Sequence, residues 1–189
     1  MTDGQSRLVS QAEGFRTRGM RRSVCGFYKG ESSAHLLREL PRLTLYAVAC
    51  WHPGPFRDPR NQFSMMAQQK DRPDVFAAWE REARSNTAFA GDRCRILKFD
   101  FREAAELINE NSLEFVFLDA AHSYRDTMEQ ILWYLPKVRE GGLITGHDYG
   151  YPRAGYEVVS QAVDAAARFF RADLHVDKGS YVWWWRKGK

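Results

Sequence analysis

Two short stretches concentrate residues able to do chemistry. Asp119-Ala120-Ala121-His122-Ser123-Tyr124 follows the apolar run 113–118, and Gly146-His147-Asp148-Tyr149 follows a second, shorter run. If those runs are parallel strands, ligands bind outside their carboxyl ends, which is where these residues stand. The Asp119 carboxylate, the His147 imidazole and the Asp148 carboxylate could then converge on one divalent cation. Mostly oxygen ligation suits magnesium or manganese, and an imidazole shifts the preference toward manganese or iron. The plainer alternative is that Asp119 caps the next helix and His147 hydrogen-bonds within its loop. Two such groups at adjacent strand ends favour the cation.

A third stretch, Val24-Cys25-Gly26-Phe27-Tyr28-Lys29-Gly30-Glu31-Ser32-Ser33, sets two glycines four apart between an apolar run and a helical segment. Glycine permits a tight turn and close approach of a ligand, and Ser32 or Ser33 with the N–H groups of a helix start could hold a carboxylate. A purely structural turn accounts for the same pattern.

These residues need elements to position them, and short apolar runs alternating with segments of helical period point to a layered α/β domain with a largely parallel sheet. Strands are expected at 22–27, 43–49, 95–99, 113–118 and 143–145, with helices at 31–40, 73–83, 102–109, 123–138 and 158–170. Met128, Ile131, Leu132 and Leu135 give the 123–138 helix an apolar face, and Gly141-Gly142 is expected to stop it. Segments 174–176 and 181–186 read as an antiparallel pair turning at Lys178-Gly179. Alternation along that last strand sends Trp183, Trp184 and Trp185 to opposite faces, so packing accounts for the run better than a stacking platform does.

Composition bounds the function. The chain has 189 residues, 44% hydrophobic and 28% charged, which suits one domain, 1–189, with a substantial core. Residues 1–20 read as an N-terminal arm or helix, and 52–91 as an insertion or lid-like segment that begins with Pro53, Pro55 and Pro59. No apolar run approaches the ~20 residues that span a bilayer, and the start does not resemble a secretory signal, so a cytoplasmic protein without a membrane partner is expected. Cys25, Cys50 and Cys94 lack metal-site spacing and read as buried free thiols. Net charge is +4, and Arg16, Arg18, Arg21 and Arg22 cluster without aromatic interleaving, so a nucleic-acid partner is not expected.

The segments 115–124 and 141–149 also carry a resemblance: they are similar to those of small class I S-adenosylmethionine-dependent methyltransferases of the "family 24" type, and to metal-dependent O-methyltransferases. The resemblance extends from about residue 24 to 149. It implies a Rossmann-like methyltransferase fold: a mostly parallel seven-stranded sheet with an antiparallel C-terminal strand and helices on both faces. It implies S-adenosylmethionine as cofactor, held by Gly26, Tyr28 and Gly30 around its methionine part, with Ser32 or Ser33 near the carboxylate. Trp51 would lie against adenine or ribose, Asp100 near adenine, and Asp119 toward the sulfonium centre or a magnesium or manganese ion completed by His147 and Asp148. His122 or His147 would take the proton from an acceptor hydroxyl, since histidine titrates near working pH. The acceptor would be a small molecule, a sugar or another natural product, in a pocket built from 52–91, the loop 149–156, and a partner chain if the protein is a homodimer. Met65, Met66 and Trp79 could line it.

The sequence departs from its relatives at Val24, Ala49 and Phe101, where polar groups commonly hold the cofactor; Ala49 stands at the position of a carboxylate that accepts the ribose hydroxyls. A second function class therefore stays open from sequence alone, a catalytically silent binding or scaffold protein with the same fold.

Overall fold

The computed structural model describes residues 21–51, 69, 72–120, 122–153 and 155–188. The N-terminal arm with Arg16 and Arg18, and Met65 and Met66, lie outside the described residues. In chain order come β1 (Arg21–Gly26), α1 (Glu31–Glu39), β2 (Leu43–Val48), α2 (Pro73–Thr87), a 3₁₀ segment (Ala88–Arg93), β3 (Cys94–Leu97), α3 (Phe101–Glu106), β4 (Leu113–Leu118), α4 (Tyr124–Tyr134), β5 (Val138–Gly146), α5 (Glu157–Phe170), β6 (His175–Asp177) and β7 (Val182–Arg186). They build a seven-stranded sheet in the order β3-β2-β1-β4-β5-β7-β6. The first five strands run parallel, and β7 inserts antiparallel to both β5 and β6.

Period-two alternation divides the core between the two faces of the sheet. Val116, Ile144, Trp183 and Trp185 join one cluster with residues of α3, α4 and α5, such as Ala105, Ile131 and Val163. Phe115, Phe117, Leu143 and Leu45 join another with Leu36 and Leu37 of α1. Helices therefore cover both faces, and the tryptophan run divides as a packed strand must. Trp183 and Trp185 stack on each other at 5.2 Å, while Trp184 stacks on His175.

Several boundaries differ from the sequence expectation, α2 running on to Thr87 and β3 and α3 ending early at Leu97 and Glu106; two further differences share one reason. The helix expected over 123–138 ends at Tyr134, and the strand expected at 143–145 begins at Val138. Pro136 has no N–H to continue a helix, and Val138 pairs with Leu113 before a register shift in the ladder. Gly142 is therefore not a helix stop. A Cβ there would lie 2.6 Å from Val138 Cγ1 and 2.7 Å from Glu114 O, so glycine is what lets β5 lie against β4.

Gly146, at the end of β5, is tighter still. A Cβ would meet Leu118 O and Trp183 Cζ2, each at 2.6 Å. Backbone cannot yield as a flexible side chain does, so Gly146→Ala is expected to cost about 3 kcal/mol by overpacking. Urea denaturation would read this as a lower midpoint with an unchanged slope.

Candidate active site

The strand order places a switch point between β1 and β4: the chain winds outward through β2 and β3, then returns to the other side of β1. A crevice opens outside the carboxyl ends at such a point. Gly26 ends β1 there, and a Cβ on it would come within 2.9 Å of Asp119 O, so the two strand ends meet backbone to backbone. Gly30 starts α1 in the left-handed region, at φ 80°, where a Cβ would strike the Phe27 ring at 2.9 Å. Ser33 is buried in the first turn of α1, and Ser32 is half-buried beside it. The loop between the glycines is held from behind. Trp51 Nε1 donates to Tyr28 O at 2.9 Å, Asn86 Nδ2 of α2 donates to Lys29 O at 2.9 Å, and the Tyr28 ring meets Trp79 edge-on at 4.8 Å. Trp51 is therefore not a free platform at the end of β2; it is 4% exposed and packs edge-on against Phe27 at 5.4 Å.

Asp100 caps α3. Its Oδ1 accepts Arg102 N at 2.7 Å and Glu103 N at 3.0 Å, and Glu103 accepts the Asp100 N–H in return. The helix after β4 is capped differently, by Ser123 Oγ, which accepts Asp126 N at 3.0 Å. That arrangement leaves the exposed Asp119 carboxylate at the end of β4 for another use.

That carboxylate belongs to a cluster. Asp119, His122 and Asp148 each bring one ligand atom to within 4.8 Å of the others. His122 Nε2 lies 2.7 Å from Asp148 Oδ2 and 3.6 Å from Asp119 Oδ1. His147 stands one step back, its Nδ1 on the other oxygen of Asp148 at 2.8 Å. Of the cation set expected from sequence, Asp119 and Asp148 meet; the imidazole that meets them is His122, while His147 orients Asp148 from outside. Spacing could not have chosen between them, because Asp148 sits at φ 67° and turns the chain sharply after His147. The turn is anchored by β7: Trp183 Nε1 donates to His147 O at 3.1 Å, and Tyr149 N to Tyr181 O at 3.0 Å.

The electrostatics follow from this geometry. Burial opposes a charge on His122, but the two carboxylates outweigh it and push its pKa up to about 9. His147 is likewise raised, burial being overcome chiefly by Asp148. For Asp148 burial favours the protonated form, yet the two imidazoles hold its carboxyl well below the usual range. Tyr151 and Tyr156, in the loop 149–156 that the sequence assigns to the acceptor pocket, and Tyr181, which it does not single out, complete the wall. His122 stacks on Tyr156 at 4.8 Å, and Tyr151 packs between Tyr156 and Tyr181 at 5.3 and 5.0 Å. Nothing in local spacing signals Tyr181, which reaches the site only through the β7 pairing.

The sequence matches the methyltransferase-domain family over residues 24–149, a span that holds the glycine loop and the Asp119, His122, His147 and Asp148 cluster. The chain belongs to the methyltransferase family. No curated protein gives a significant match. Among solved structures, the methyltransferase superposes on the O-methyltransferase NovP with a TM-score of 0.70 at 19% identity, covering 99% of this chain and 79% of NovP. For the O-methyltransferase from Bacillus cereus in complex with SAH the values are 0.62 and 16%, with 99% and 82% covered. For TomG from Streptomyces achromogenes, an O-methyltransferase involved in tomaymycin synthesis and solved with SAM, they are 0.60 and 19%, with 100% and 82% covered. These likenesses establish the α/β methyltransferase fold. With the family membership they make the chain an S-adenosylmethionine-dependent methyltransferase of class I. Among the described residues no helix is long and apolar enough to cross a membrane.

Proposed function

We propose that this methyltransferase moves the methyl group of S-adenosylmethionine to a hydroxyl of a small molecule, a sugar or another natural product, with a divalent cation held by Asp119, His122 and Asp148. The observation that carries the proposal is the meeting of those three side chains at the switch point, beside Gly26 and the glycine loop. Two carboxylates and one imidazole form a donor set suited to manganese, magnesium or ferrous iron, and the contact from His147 supplies the second layer that orients a ligating carboxylate. The residues present therefore fit the ion, which when bound would lower the pKa of a nearby hydroxyl.

The chain's own residues would divide the remaining work. The loop between Gly26 and Gly30, with Tyr28, Ser32 and Ser33, would hold the methionine end of the donor. Asp100 would stand near adenine, and Asp119 would face the sulfonium. With His122 committed to the cation, His147 is the better base: Asp148 holds its Nδ1, leaving Nε2 to take the acceptor proton. The tyrosine wall would exclude water and fix the acceptor in line with sulfur and methyl carbon, and such positioning supplies much of the rate. Relatives that carry the names of O-methyltransferases support the choice of oxygen as acceptor atom.

Calorimetric titration tests the proposal. S-adenosylhomocysteine is expected to bind with micromolar affinity, and manganese binding is expected to fall at least tenfold in Asp119→Asn and Asp148→Asn. Turnover, read as S-adenosylhomocysteine released with a panel of phenolic and sugar acceptors, should fall in parallel. Unchanged metal binding and turnover in both variants would refute these roles.

A further inference from the structure

We propose that Asn86, together with Trp51, is a positioning residue for the methyl donor: from behind the loop 27–30, the two side chains fix the direction of the Lys29 and Gly30 N–H groups. The inference rests on the reading that this loop holds the donor, and it concerns a helix, α2, that sequence spacing gives no reason to connect with it.

Two successive carbonyls of the loop are taken by side-chain donors. Tyr28 O accepts from Trp51 Nε1 and Lys29 O from Asn86 Nδ2, each at 2.9 Å. The described peptide bonds contain no cis bond. In a trans peptide the C=O of one residue and the N–H of the next point in opposite directions. Holding Tyr28 O toward Trp51 therefore turns the Lys29 N–H away from it, and holding Lys29 O toward Asn86 turns the Gly30 N–H away from α2. Among the described residues neither N–H has a backbone acceptor. Both are donors without a backbone partner at the start of α1, where the proposed function puts the carboxylate of the methionine moiety.

The rest of the loop is built to keep that direction. Lys29 Nζ pairs with Glu82 at 3.1 Å, and the Tyr28 ring packs on Trp79, so each residue that offers a carbonyl backward also has its side chain held by α2. Gly30 leaves no slack, since a Cβ there would lie 3.0 Å from Ala83 O. Trp51 adopts φ 40°, an unfavourable region for a bulky residue, and burial keeps it there with its indole N–H on the loop. A loop already held in its binding form spares the donor the entropy of ordering it. That matters more in a chain whose β2 is followed by Ala49, a side chain that offers a ligand no hydrogen bond.

The test titrates S-adenosylhomocysteine calorimetrically into the parent protein, Asn86→Ala, Asn86→Asp, Ser85→Ala and Gly30→Ala, with a thermal melt of each. Asn86→Ala removes one hydrogen bond and is expected to weaken binding about three- to tenfold. Asn86→Asp keeps the shape but points an acceptor at Lys29 O, so it should weaken binding by more than ten-fold. Exposed Ser85 is the neighbour control, and Ser85→Ala should bind like the parent. A residue that merely supported the fold would lower the melting midpoint and leave the affinity of the folded protein alone, and it would favour aspartate over alanine on grounds of size. Affinities within twofold of the parent in both Asn86 variants, with Gly30→Ala weakened, overturn the inference and leave the loop reading standing. Should Gly30→Ala also bind like the parent, or the parent fail to bind, the loop reading falls and the inference with it. If the Asn86 variants do not fold, Trp51→Phe keeps a ring, lacks the N–H and must show the same three- to tenfold loss.

Discussion

Replacing Asp148 with alanine is expected to lower the stability of the metal-free protein at neutral pH by about 3–5 kcal/mol, the range for removing one partner of a buried charge pair. Asp148 is 6% exposed and serves two imidazoles at once, His122 through Oδ2 and His147 through Oδ1. Its removal leaves His122 with Asp119 alone against the burial that disfavours its charge. The backbone adds to the loss, because alanine gains nothing at φ 67° whereas aspartate and asparagine tolerate the left-handed region. Asp148→Asn should therefore be milder, about 1–3 kcal/mol, since the amide can accept from one ring and donate to the other. Both variants lose the carboxylate and should lose manganese binding alike. Thermal melts at pH 7 would show a drop of roughly 8–15 °C for alanine, and proton NMR titration would show His122 losing its proton at lower pH. An alanine variant that melts within 2 °C of the parent would sink the argument that Asp148 holds this site together.

The different depths at which these features can be read in the sequence follow from the range of the forces involved. Strands at 43–48 and 113–118 are legible because strands buried on both faces need continuous apolar residues, as LTLYAV and LEFVFL supply. The start of β5 is not, because Val138-Arg139-Glu140-Gly141-Gly142 carries one apolar residue in five and is held by ladder pairing with Leu113 and by the Arg139–Glu114 contact at 2.7 Å. The strand ends announce Asp119 and Asp148 as partners. The choice of His122 over His147 depends on a backbone turn at a non-glycine residue and on Trp183, 36 positions away in sequence. Trp51 shows the same limit from the other side: its position past β2 is legible, but its burial behind the loop depends on Phe27, Ala47 and Phe76, which only the folded chain assembles.

Raising the pH of the metal-free protein from 6.5 to 9.5 is expected to remove about 2–3 kcal/mol of stability, through His122. Its pKa is about 9 in the folded chain against an ordinary value of 6.5. Between those values the folded state binds more protons than the unfolded one, so stability falls as pH rises. The contribution is complete below about pH 6.5 and gone above about 9. A shift of that size corresponds to roughly 3 kcal/mol at most, and the attraction to Asp148 is one energy shared by both partners. The opposite sign holds for Asp148, whose depressed pKa gives stability present above its ordinary value of 3.8 and lost on acidification. Metal-free stability should thus be greatest between about pH 4 and 6.5. His122→Asn should lie below the parent at pH 6, approach it near pH 9.5, and keep only the part of the alkaline decline that His147, also raised by Asp148, contributes. A cation reverses the slope. It must displace the proton at His122 Nε2, so manganese affinity should rise about tenfold per pH unit up to about pH 9, and saturating manganese should cancel the alkaline loss. A metal-free melting midpoint that stays level or rises between pH 6.5 and 9 would show that His122 carries no charge between Asp119 and Asp148, and the opposed slopes would have no basis.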